Sequence, residues 1–183
     1  MNLSDFNNSW YGHGRSPFVR AVWLALEGLL FSSWIPGSKW RVVLLRLLGA
    51  KIGQGVVIKP RTRCKLPWRL EIGDHTWIGE GAWIDNVTDV RIGSDVCISQ
   101  GVYLCTGNHS WSKPAFDLEL GPIAIADKVW VGAFVKVTPN TTIEEGAVIT
   151  MGSVAHGTVS AWTIHSFVSR VSSTKPRQIN NGA

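Results

Sequence analysis

Aliphatic residues recur at every sixth position along most of this chain. Ile52, Ile58 and Cys64 begin the series, and Ile72, Ile78, Ile84, Ile92, Ile98 and Leu104 continue it. It resumes at Ile125, Val131 and Val137, then runs through Ile143, Ile149 and Ala155. Four places after most of these stands a second small or apolar residue, as at Val56, Thr76, Val96, Val129 and Ala147. Six is not a helical period, and simple alternation does not explain glycines fixed at one phase of the repeat. A hexapeptide ladder predicts a parallel β-helix in which each short strand forms one side of a coil. Each ladder residue then points into a narrow interior, stacked on its counterpart about 4.8 Å away in the next coil. Glycines such as Gly73, Gly79 and Gly132 permit the tight turns and close backbone approach between strands.

The breaks in register are as informative as the repeat. Short insertions, around Trp68 to Glu71 and near Val87 to Arg91, separate the first three coils. After Asn108 the ladder is lost until Ile125, and it ends at Ala155, which gives about five coils. The expected organisation is an N-terminal arm with helices over 1–50, a β-helix over 51–159 carrying a loop over 109–124, and a C-terminal tail over 160–183.

Ahead of the ladder, the polar stretch 1–16 reads as an extended or poorly ordered arm. Pro17 suits a first helical turn capped by Ser16, and this helix runs to Trp34 before Pro36-Gly37 breaks it. Ser38 is the expected cap of a second helix that continues to Leu48 and stops at Gly49. Val42, Val43, Leu44, Leu45, Leu47 and Leu48 nearly surround that helix, so something must cover part of it. The end of the β-helix, a neighbouring subunit and a membrane surface are the candidates.

Composition narrows the partners. The chain has 183 residues and a net charge of +5. The stretch from Gly28 to Leu70 holds Lys39, Arg41, Arg46, Lys51, Lys59, Arg61, Arg63, Lys65 and Arg69 with no acidic residue. Such a patch would meet phosphates, a membrane surface or an acidic glycan, or simply form a solvated face. No recognition motif accompanies the charge, so nucleic acid is not an expected partner. Apolar run Ala21 to Ile35 contains Glu27 and is too short to span a bilayer. Cys64, Cys97 and Cys105 lack CxxC spacing and read as buried, reduced thiols of a cytoplasmic protein.

His109 is the principal candidate for chemistry. It stands where the ladder breaks, so a rigid coil carries it while it faces whatever the loop encloses. His13, His75, His156 and His165 lack partner spacing, and no metal site is expected. Asp85 and Asn86, one insertion before the next coil, would orient a substrate or the imidazole, or stabilise a turn. Asn108 carries the same alternatives.

These repeats resemble those of the hexapeptide-repeat acyltransferases, which fold as left-handed parallel β-helices. Asn8-Ser9-Trp10-Tyr11, Leu47-Leu48-Gly49-Ala50-Lys51-Ile52-Gly53, Pro67-Trp68-Arg69-Leu70-Glu71-Ile72-Gly73-Asp74-His75 and Cys105-Thr106-Gly107-Asn108-His109 are similar to the exopolysaccharide O-acetyltransferases of the colanic acid type. The resemblance implies an all-β enzyme that transfers acetyl from acetyl-CoA to a sugar hydroxyl, with His109 as general base and no covalent acetyl-enzyme. It further implies a homotrimer with each site between adjacent β-helices and a sugar or glycan acceptor. The basic, helical N-terminal region adds the expectation of a cytoplasmic protein docked at the inner face of the membrane.

By the same resemblance Trp130 lines the coenzyme and acceptor channel. The stretches holding Gly132, Ala133, Met151, Gly152 and Ser153 run beside the pantetheine arm. The family carries a lysine near the coenzyme after its last coil, whereas this chain has Ala155-His156-Gly157-Thr158 there. Arg170, Lys175 and Arg177 are the replacement candidates for binding the coenzyme phosphates. Three readings compete with this one: acetylation of a small acceptor such as an antibiotic, a zinc lyase needing three convergent histidines, and a non-catalytic β-helix.

Overall fold

A computed structural model describes residues 2–166 of the chain. The ladder folds into a parallel β-helix with three faces. Strands Lys51–Ile52, Leu70–Ile72, Val90–Ile92, Ile123–Ile125, Thr141–Ile143 and Thr158–Val159 form the first face, each paired in parallel with the next. Val57–Ile58, Trp77–Ile78, Cys97–Ile98, Trp130–Val131, Val148–Ile149 and Ile164–His165 form the second. Arg63–Cys64, Trp83–Asp85, Tyr103–Cys105, Lys136–Val137 and Val154–Ala155 form the third. Ile58, Ile78, Ile98, Val131 and Ile149 stack in the interior of the second face, all buried. The companion positions Thr76, Val96, Val129, Ala147 and Ser153 are buried as well.

Five complete coils are present among the described residues, and the stack does not stop at Ala155. Val159 pairs with Ile143 and His165 with Ile149, so two strands of a sixth coil follow. The step from Ala155 to Val159 is two residues shorter than the repeat, which hides this coil from a six-residue register.

Corners explain part of the glycine pattern. A Cβ on Gly55 would lie 2.3 Å from the His75 ring of the next coil, and one on Gly101 would lie 2.6 Å from Phe134. At each of these two corners a glycine makes room for the bulky ring of the next coil, because two bulky side chains cannot share a spacing of about 4.8 Å.

The N-terminal segment closes the open end of coil one. Helix α1 spans Pro17–Leu26, with Ser16 Oγ accepting from the Val19 N–H at 3.4 Å, and it continues as a wider turn over Glu27–Phe31. Helix α2 spans Lys39–Leu47, and Gly49 ends it at a φ of 98°. Trp23, Phe31, Val42 and Leu45 are buried in one cluster with the first coils, so the β-helix end covers this side of α2. Val43 and Leu47 remain exposed.

Ser38 is not the cap expected of it. Its backbone is already helical, and its hydroxyl accepts from Ile58 N at 2.7 Å and donates to Val56 O at 3.3 Å, tying α2 to coil one. The basic stretch also resolves differently from a continuous patch. Arg41 is fully buried and donates to the carbonyls of Phe31, Ser33, Ile35 and Gly37, at the end of the preceding helical turn and in the loop after it. Arg46 donates to the carbonyls of Ile52 and Gly53, and Arg69 to those of Val87 and Gly12. Lys51, Arg61, Arg63 and Lys65 pair with Glu71, Glu80, Glu27 and Asp85. Much of the charge therefore serves the joint between helices, arm and coils.

The arm is laid against the body. Tyr11 donates to Val87 O at 2.6 Å, Trp68 Nε1 donates to His13 O at 2.7 Å, and Asn2 N donates to Pro114 O at 2.8 Å. No helix among the described residues is long and apolar enough to cross a membrane.

Candidate active site

The long break in the ladder is a β-hairpin standing out from the corner between the third and first faces. Gly107–His109 pairs antiparallel with Leu118–Leu120, with His109 opposite Leu118, and Ser110 N donates to Asp117 O at 2.8 Å. His109 therefore sits toward the outer end of this arm rather than at its base. Its half-buried ring lies flat on Phe116, with centroids 4.3 Å apart and planes within 2°. Phe6, from the N-terminal arm, closes a second side at 5.4 Å.

His109 Nδ1 stands 2.9 Å from the Phe116 carbonyl oxygen. A carbonyl only accepts, so Nδ1 carries the hydrogen and, in the neutral ring, Nε2 carries the lone pair. Phe116 adopts a φ of 54°, a left-handed turn that aims its carbonyl back at the imidazole. Hairpin pairing, ring stacking and this hydrogen bond together fix which nitrogen is available as a base.

Asn108 is exposed, and its Oδ1 accepts from the His109 N–H at 2.8 Å. Asn86 is fully buried: its Oδ1 accepts from Leu66 N at 2.9 Å and its Nδ2 donates to Leu66 O at 2.6 Å. Those bonds clamp the insertion between coils one and two and turn the amide away from any acceptor. Asp85 instead faces outward on the third face, 2.9 Å from Lys65 Nζ and accepting from the Tyr103 hydroxyl at 2.9 Å. Burial, helped by hydrogen bonds with Cys105 and Asp85, pushes the Tyr103 phenol up from its ordinary value.

A second group of candidates gathers at the corner between the second and third faces. Gly132 N donates to Ile149 O at 2.8 Å and Gly152 N to Ala133 O at 2.9 Å, stacking the two turns of coils four and five. Met151 is exposed there and Ser153 is buried. Trp130 is exposed on the adjoining second face, its Nε1 donating to Ser99 Oγ at 3.0 Å. Trp130, Gly132, Ala133, Met151, Gly152 and Ser153 thus come together, but the His109 hairpin leaves from the corner opposite the second face. One chain does not bring the two groups into one cleft. Arg170, Lys175 and Arg177 lie outside the described residues.

Phe6, Phe116 and Tyr103 were not singled out in the sequence. Phe116 and Phe6 sit in segments without a repeat. Tyr103 had a signal, since it and Trp83 hold the same outward phase of successive coils and pack with centroids 4.8 Å apart. The cysteines are unpaired, with Cys64 buried as expected but Cys97 and Cys105 only half-buried. Among the described residues no three His, Cys, Asp or Glu side chains converge as metal ligands would.

No family model matches the chain. Its fold matches a hexapeptide-repeat acetyltransferase of Vibrio cholerae with a TM-score of 0.76 and 25% identity, covering 85% of this chain and 90% of that one. The same Vibrio protein complexed with acetyl coenzyme A matches at a TM-score of 0.75, 25% identity and 82% of each chain. A galactoside acetyltransferase in complex with coenzyme A shares the fold, with a TM-score of 0.74, 23% identity, and 90% and 82% of the two chains. The architecture is the left-handed parallel β-helix of these proteins. In sequence, the chain is 39% identical over 151 residues to a relative of Escherichia coli strain K12 named for colanic acid biosynthesis, the acetyltransferase WcaF, covering 81% of this chain and 82% of that protein. The chain belongs to the hexapeptide-repeat acetyltransferase family and is an acetyltransferase.

Proposed function

We propose that the chain transfers acetyl from acetyl-CoA to a sugar hydroxyl in exopolysaccharide synthesis, with His109 as the general base. The observation that carries this reading is the Phe116 carbonyl holding His109 Nδ1–H at 2.9 Å. In the neutral ring this leaves the lone pair on Nε2, and Phe116 and Phe6 fix the ring. Nε2 takes the proton of the acceptor hydroxyl as that oxygen attacks the thioester carbonyl. The C–S bond then breaks, and the same imidazolium returns its proton to the leaving thiolate. An O-acetyl ester and a free thiol result, with no acetyl-enzyme in between.

The corner of coils four and five suits the coenzyme's extended arm. Gly132 lets two backbones lie close together, while exposed Trp130, Phe134 and Met151 offer apolar surface beside it. That corner and the His109 hairpin are on different sides of one chain. They complete one another when the hairpin of one copy faces the corner of the next, which is the geometry of a closed ring and supports a homotrimer. The sugar acceptor is inferred from the relatives named for colanic acid biosynthesis and galactoside acetylation. Exposed Phe18, Leu29, Trp34 and Leu47 on the helical cap support a location against the inner face of the membrane, where lipid-linked glycans are available.

The test is release of free thiol from acetyl-CoA with sugar acceptors, comparing the wild type with His109→Ala. The proposal expects loss of at least about a thousandfold in kcat in a trimer of unchanged melting temperature. Full activity in His109→Ala sinks it.

A further inference from the structure

A further cavity lies away from both groups just described. It measures about 380 Å³ and sits beneath α1, against the third face of coils one and two. Arg20, Arg63, Lys65 and Glu27 supply its charges. Arg63 and Lys65 are engaged by Glu27 at 3.6 Å and Asp85 at 2.9 Å. Arg20 is different: its Nε is buried and has no hydrogen-bond partner. A buried guanidinium N–H left unpaired costs free energy that an anionic acceptor would recover.

The remaining wall is apolar and rigid. Leu24, Leu66, Trp68 and Trp83 contribute to it, and the Trp83 ring is held between Arg63 at 4.6 Å and Tyr103 at 4.8 Å. His13 stands at the rim on the N-terminal arm, and Phe6 of the same arm touches His109. The arm from Phe6 to His13 spans at most about 25 Å, so cavity and candidate base lie within reach of one oligosaccharide.

We propose that this cavity binds an acid-bearing sugar of the acceptor glycan, with Arg20 taking the carboxylate or phosphate and Leu24, Leu66 and Trp68, with the edge of Trp83, taking the apolar face of the ring. This rests on the reading of the acceptor as a glycan and adds a subsite remote from the transferred group. Aromatic and aliphatic walls pack against the C–H faces of a sugar, and a guanidinium recognises either acid in a forked geometry. The acid could reside on the sugar as a uronate or link it as a phosphate.

The experiment is calorimetric binding at low salt, without acetyl-CoA, to the full chain. The probes are methyl glucuronide, glucose 1-phosphate, neutral methyl glucoside and inorganic phosphate. At least one acidic sugar is expected to bind about tenfold or more tightly than methyl glucoside and phosphate, and which one it is distinguishes uronate from phosphate. Arg20→Met is expected to weaken that binding about tenfold, and Leu24→Glu, on an exposed position, to abolish it. His109→Ala should bind as the wild type does. Equal binding of the neutral glucoside, phosphate alone binding as well as the sugars, or unchanged binding in folded Arg20→Met overturns the subsite. Binding without acetyl transfer to any sugar would leave the subsite standing and remove the catalytic reading; transfer without binding would do the reverse.

Discussion

The imidazole of His109 and the ring of Phe116 lie parallel within 2°, and the same Phe116 supplies the carbonyl that holds Nδ1 at 2.9 Å. One residue therefore fixes both the plane and the tautomer of the candidate base. Phe116→Ala keeps the carbonyl but removes the stacking partner, so the ring gains freedom to rotate. We expect kcat to fall about tenfold with little change in the KM for acetyl-CoA. Nitrogen-15 NMR of the wild type should show His109 as the Nδ1–H tautomer. Finding the hydrogen on Nε2 instead would remove the physical basis of the proposed base.

Two glycines of the coil-four and coil-five corner make a second test. A Cβ on Gly132 would lie 2.7 Å from Ile149 O and 2.8 Å from Met151 N, both backbone atoms of the next coil. Gly152 has a φ of 73° but open space where its Cβ would go. Gly152→Ala should cost about 1–2 kcal/mol, the strain of a left-handed alanine. Gly132→Ala should cost more, because coils must separate to admit the methyl. Urea unfolding of both variants checks the order, and equal costs would contradict the close packing.

How far the sequence disclosed this molecule depends on what kind of regularity carried each part. Ile72, Ile78 and Ile84 announce a coil because every coil must fill the same interior, and a repeated physical demand leaves a repeated residue type. Ser16 and Gly49 mark helix ends for similarly local reasons, a free N–H and a left-handed turn. Ser38 misleads because its hydroxyl answers to Ile58, twenty residues away in coil one. Asn86 shows the same thing at a candidate site, since its amide is spent on Leu66 and only three-dimensional contact reveals it. Phe116, Phe6 and the Arg20 cavity have no period at all. They exist because a hairpin, an arm and a helix converge on the stack, and sequence spacing does not encode that convergence.

Arg41 is a buried cation held by carbonyls of Phe31, Ser33, Ile35 and Gly37 and stacked over the Trp40 ring at 4.2 Å. Burial lowers its pKa from the ordinary value, yet four acceptors and the negative end of the helical turn favour the charged form. Arg41→Met fills similar space but takes the side-chain donor from the carbonyls of Phe31, Ile35 and Gly37, while Ser33 O keeps the Arg61 N–H. The expected loss is about 3–5 kcal/mol of stability, read as a lower urea midpoint. Arg46→Met, whose hydrogen bonds to Ile52 and Gly53 are exposed, should cost no more than about 1 kcal/mol. If the two variants unfold at the same midpoint, the Arg41 knot does not anchor the cap.

His13 ties the arm to the pH dependence of folding. Partial burial, then the nearby charges of Arg20, Arg69 and Lys65, hold its pKa below the ordinary histidine value of 6.5. The unfolded chain, free of those cations, takes up the proton first as pH falls. Protonation therefore favours unfolding: the stability His13 contributes is fully present above about pH 6.5 and is lost as pH falls through its depressed folded value. Because the ring is largely exposed, the effect is small, and it should appear as a slope in urea midpoints measured from about pH 8 to pH 5. His13→Gln should flatten that slope and leave the midpoint near pH 8 unchanged. An anionic sugar in the neighbouring cavity adds a negative charge beside the same ring, so its binding should raise the His13 pKa in an NMR titration. A titration curve that does not move at saturating ligand would place the anion elsewhere.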